Sequence, residues 1–87
     1  MGLPREDAVR AYSTWQQSQV STDEQKKHYS MAEELTLAYG YDLDMLAANQ
    51  ERMYQFYTKH GVLPGISWRY VRDVQSFLAE HGGWDAM

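Results

Sequence analysis

The stretch "STDEQKKHYSMAEELTLAYG", residues 21–40, decides the fold. Ser21 and Glu24 stand at capping-box spacing, where side chains can bond the free amides of a helix start. His28, Met31, Ala32, Leu35, Ala38 and Tyr39 then recur on one face of a helix. Gly40 supplies a left-handed C-cap. The expected helix covers about 22–39.

The same signals repeat on both sides. Pro4 followed by Glu6 and Asp7 opens a helix over about 4–19, because proline suits the first turn and acids suit the positive end of the dipole. Ala8, Ala11, Tyr12, Trp15 and Gln19 give its docking face. Asp42 caps a helix over about 43–60 with a stripe of Leu43, Leu46, Ala47, Met53, Tyr54 and Tyr57, closed by Gly61. "GVLPG" at 61–65 then interrupts the chain. Ser67 is expected to cap a last helix over about 67–81, with Ile66 and Val71 as a staple. Its face is Tyr70, Val71, Val74, Phe77, Leu78 and His81. Gly82 ends it, and residues 83–87 form a disorder-prone tail. No segment alternates as a strand does. The expected fold is all-α, a compact bundle of four short helices (about 4–19, 22–39, 43–60, 67–81) in one domain, 1–87.

"FYTKHG" at 56–61 and "FLAEHG" at 77–82 share a Phe-x-x-x-His-Gly pattern. Both fall at expected helix ends. Glycine takes a left-handed conformation there without steric penalty, and histidine in a last turn bonds free carbonyls. The pattern therefore reads as two similar helix ends, with no ligand implied.

The chain has 87 residues, no cysteine and a net charge of −4. Residues 21–44 hold Asp23, Glu24, Glu33, Glu34, Asp42 and Asp44 against Lys26 and Lys27, so the acidity is concentrated there. This balance disfavours a general nucleic-acid binder, whose affinity comes from neutralising phosphates. "MGLPREDAVR" lacks the apolar core of a signal peptide, and no apolar run reaches the roughly 20 residues of a membrane span. A cytoplasmic protein without membrane contact is expected. Seven Tyr, three Trp and two Phe make the chain rich in side chains that suit a core margin or an interface. In size and composition it resembles small helical proteins of phage, plasmid and accessory gene sets, a likeness that rests on no motif.

Catalytic patterns are incomplete. His28 and Glu24 are one turn apart, but no second such pair makes a metal centre. "DLD" at 42–44 lacks the glycine and terminal glutamate of a calcium loop. "GISWR" at 65–69 is half a nucleophile elbow, with Arg69 in place of the second glycine. No catalytic residue, cofactor or metal is expected.

Five large side chains lie off the expected stripes: Trp68, Phe56, Met45, Tyr29 and Leu37. They are the expected contacts of a non-catalytic interaction module whose partner is another protein or a second copy. Two alternatives use other residues. Arg69 and Arg72, one turn apart, suit a helix-turn-helix-like DNA binder, although "GVLPGI" is long for its turn. Glu33 and Glu34 suit an acidic inhibitor of a basic enzyme or nucleic-acid machine.

Overall fold

A computed structural model describes residues 4–80. The described chain is all-α, in the order α1 (Arg5–Gln17), α2 (Asp23–Ala38), α3 (Leu43–Ala48), α4 (Gln50–Lys59), α5 (Pro64–Arg72) and α6 (Val74–Glu80). The all-α expectation holds, and the four expected segments become six helices. The third divides at Asn49, whose ψ of 51° leaves the helical region. The fourth divides at Asp73. His81, Gly82 and the tail 83–87 lie outside the described residues.

Of three expected helix caps, one holds and two are corrected. Thr22, one residue beyond Ser21, caps α2 and accepts from the Gln25 amide at 3.3 Å. Asp42 caps α3 as expected, accepting from the Met45 amide at 3.0 Å. Ser67 does not cap a helix: α5 begins at Pro64, a first-turn proline. Ser67 is buried within α5, where its hydroxyl donates to the Val62 carbonyl.

Gly40 and Gly61 end α2 and α4 at φ of 73° and 96°. Both endings complete the double bond pattern of a Schellman motif. Gly40 and Tyr41 donate to Leu37 and Thr36, and Gly61 and Val62 donate to Thr58 and Tyr57. His60 closes α4 as read from sequence, its Nδ1 lying 2.8 Å from the Phe56 carbonyl oxygen. His28 does something else. Its Nδ1 accepts from the Leu63 amide at 3.2 Å, tying α2 to the turn before α5.

The core is built largely on tyrosine. Tyr12, Tyr29, Tyr57 and Tyr70 have no exposed surface, and Val9, Leu46, Val71, Val74 and Phe77 pack among them. Tyr70 is central: its ring lies 5.0 Å from Tyr12, 5.3 Å from Tyr57 and 6.2 Å from Tyr29. A buried phenol needs a partner. The Tyr12 hydroxyl donates to the Tyr70 carbonyl, Ser13 meets the Tyr70 hydroxyl at 2.8 Å, and Thr36 meets that of Tyr57. Gln16, also buried, sends its amide to Tyr12 Oη at 2.9 Å, the Arg69 carbonyl at 3.2 Å and Asp73 Oδ2 at 3.3 Å. Thus α1, whose composition is polar, docks through paired hydroxyls and amides as well as apolar area.

Candidate interaction surface

One face of α5 is core and the other is open. Ile66, Ser67, Tyr70 and Val71 are buried, whereas Gly65, Trp68, Arg69 and Arg72 are exposed. The helix is therefore held from behind by rigid aromatic packing and presents its remaining side chains outward. Trp68 is 51% exposed, and the Arg72 guanidinium lies over its ring, 4.8 Å from the centroid. This cation–π contact favours one arrangement of two long side chains before any partner arrives. No acid stands on this face of α5.

Arg69 follows a different course from Arg72. It lines a polar cleft together with Tyr29 and Asp73. The two arginines are thus one turn apart and differently engaged.

The other expected contacts separate. Met45, on α3, is 37% exposed. Phe56 is half-buried in an aromatic cluster, with ring centroids 4.9 Å from Tyr39, 5.3 Å from Tyr41 and 4.6 Å from His60. Leu37 is half-buried against the core. Tyr29 is corrected outright: it has no exposed surface and belongs to the core. The reason is that α2 packs against both α1 and α5, so its fully buried face is Tyr29, Ala32 and Thr36. That face is turned by about one residue from the stripe of His28, Met31 and Leu35.

Glu33 and Glu34 are also unlike one another. Glu33 is half-buried, and burial pushes its carboxyl above the usual carboxylate range, against the pull of Arg10 and with a further push from Glu34. Glu34 is exposed beside a shallow apolar hollow formed by Met31, Leu35, Ala38 and His60.

Two exposed residues were missed. Tyr39 is 52% exposed and Leu63 is 40% exposed. Tyr39 falls on an expected apolar stripe and Leu63 in an expected linker, so the sequence marks neither. Among the described residues no three His, Asp or Glu side chains gather as a metal site, and no helix is long and apolar enough to cross a membrane. No protein-family model, curated protein or solved structure matches this chain.

Proposed function

We propose that this protein acts by binding another protein through the open face of α5, without catalysis, with Trp68 as the anchor. One observation carries the reading: an exposed tryptophan already stacked by Arg72, on a helix whose opposite face is fully packed. Tryptophan and arginine dominate interface hot spots because they remove much area from water and still offer polar contacts. Favouring one arrangement beforehand lowers the ordering cost of association. The fitting partner is an acidic surface with an apolar pocket, since this face offers arginine and no carboxylate.

Trp68→Ala is expected to weaken that association at least tenfold, about 1.4 kcal/mol or more, with the helical circular dichroism unchanged. Light scattering behind size exclusion, over a wide concentration range, first tests a second copy as the partner. A mass above the 10.2 kDa chain that Trp68→Ala abolishes identifies self-association. For a monomer, quantitative capture with wild type against Trp68→Ala identifies the partner. Equal capture of every protein by both sinks the proposal.

A second reading has one specific observation in its favour. Because α5 begins at Pro64, only residues 60–63 separate it from α4, and they include Gly61. That is the turn length of a helix-turn-helix, so the objection from the length of the turn falls. Arg52 and Lys59 on α4 are exposed, as are Arg69 and Arg72 on α5. DNA binding of this kind requires salt-sensitive duplex retention that is lost in Arg69→Ala plus Arg72→Ala.

A further inference from the structure

A cleft of about 460 Å³ opens where the end of α1, the start of α2 and α5 meet, lined by Trp15, Gln19, Gln25, Tyr29, Arg69 and Asp73 among others. Its volume lies within the range of small-molecule sites. Its inner wall contains an anomaly. Among the described buried side chains, the Tyr29 hydroxyl is the polar group without a hydrogen-bond partner. The other three core phenols are all paired. Tyr29 lines the cleft beside Arg69 and Asp73, and the charges of both act on its hydroxyl. The Arg69 guanidinium is near enough to favour a negative oxygen there, and because arginine only donates, the phenol's own proton stays without an acceptor. Burial nevertheless raises the Tyr29 pKa, keeping the group a proton donor.

We infer that this cleft is a binding site for a small organic carboxylate, received between Arg69 and the Tyr29 hydroxyl. Arginine offers a planar fork that matches a carboxylate, and the phenol adds a donor that is buried and unused. The amides of Gln19 and Gln25 supply further donors around the rim. Asp73 already accepts from Gln16 through Oδ2. Its remaining acceptor capacity selects a carboxylate that also carries an N–H or O–H. The Trp15 ring gives the ligand's body an apolar wall. Such a carboxylate arises from a free small acid or from the C-terminus of a peptide.

The test is a titration of the full chain, followed by amide and side-chain nuclear magnetic resonance. The probes are 4-hydroxybenzoate and N-acetylglycylglycine, each beside its neutral carboxamide. At least one carboxylate is expected to shift the Trp15 indole and Gln19 and Gln25 amide signals saturably, with a dissociation constant of about 1 mM or tighter. The tighter of the two names the source. Each carboxamide is expected to bind at least tenfold more weakly, and Arg69→Gln to cost a similar factor. Tyr29→Phe is expected to weaken binding about threefold to tenfold without lowering the melting midpoint, because the hydroxyl it removes has no internal partner. Trp68 does not line the cleft, so Trp68→Ala is expected to leave carboxylate binding intact and separates this site from the α5 interface. Absence of saturable shifts below about 20 mM overturns the inference, as does equal binding of the carboxamides or of Tyr29→Phe.

Discussion

Replacing Tyr70 by alanine is expected to lower the melting midpoint by about 20 °C or more and to leave much of the chain unfolded near body temperature. The ring is fully buried and touches the rings of Tyr12, Tyr29 and Tyr57, which come from α1, α2 and α4. Removing a buried aromatic ring costs about 3–5 kcal/mol, because the hole does not fully collapse. Ser13 also loses its hydroxyl partner. A domain this small has only about 4–13 kcal/mol in total. Tyr70→Phe separates ring from hydroxyl. It keeps the packing and loses one hydrogen bond, so its cost is about 1 kcal/mol and its midpoint falls about 4–8 °C. Thermal unfolding followed by circular dichroism measures both. A Tyr70→Ala protein that melts within a few degrees of wild type would show that the helices do not depend on this hub.

The second large effect is alkaline unfolding. Burial raises the pKa of Tyr12, Tyr57 and Tyr70 far above the ordinary tyrosine value, and that of Tyr29 in the same direction. In the unfolded chain these phenols ionise near pH 10. The unfolded state then binds fewer protons than the native state, so stability falls as pH rises. The stabilising effect is complete below about pH 10 and is lost as pH climbs from there toward the native values. Each phenol that stays protonated in the native state contributes a slope of about 1.4 kcal/mol per pH unit once its unfolded counterpart is ionised. With three or four acting together, the domain is expected to unfold cooperatively within about two units above pH 10. The phenolate absorbance of the four core tyrosines is therefore expected to rise only together with loss of helical signal. Titration of the core tyrosines near pH 10, with the helices intact, would contradict this account.

Helix existence was legible where local rules act alone. Gly40 and Gly61 ended their helices as the sequence implied, and Asp42 capped its helix. The face of Leu43, Leu46, Met53 and Tyr57 was also legible, because its apolar residues keep helical spacing through the break at Asn49. The start of α2 was off by one residue for a visible reason. Thr22 and Gln25 also have capping-box spacing, and they compete directly with Ser21 and Glu24. Proline both breaks and opens helices, and because Pro64 opens α5, Ser67 lies within that helix rather than at its cap.

Burial was harder to read because tyrosine, glutamine and threonine serve here as core residues. The sequence of α2 suggests a single apolar stripe, yet two neighbours cover it and bury Tyr29 and Thr36. On α1, Ser13 and Gln16 are buried because Tyr70, Arg69 and Asp73 satisfy them from more than fifty positions away, information that no local window holds. The same separation hides the cleft, whose walls come from residues 15 to 73. Trp68 was legible as a surface residue because its position opposite Val74 on a helical projection needs no knowledge of the neighbours.

The distance along the chain between Tyr12 and its partners has a consequence for biosynthesis. Beyond its own helix, Tyr12 meets the rings of Tyr70 and Phe77 and the carbonyl of Tyr70. A ribosome must therefore expose nearly all of the described chain before those contacts form. Until then α1 waits with a sequence in which serine, threonine and glutamine outnumber the large apolar residues, which limits what a neighbouring nascent chain can adhere to. The hydroxyls and amides that later lock this helix into the core also keep it wettable while it is still alone.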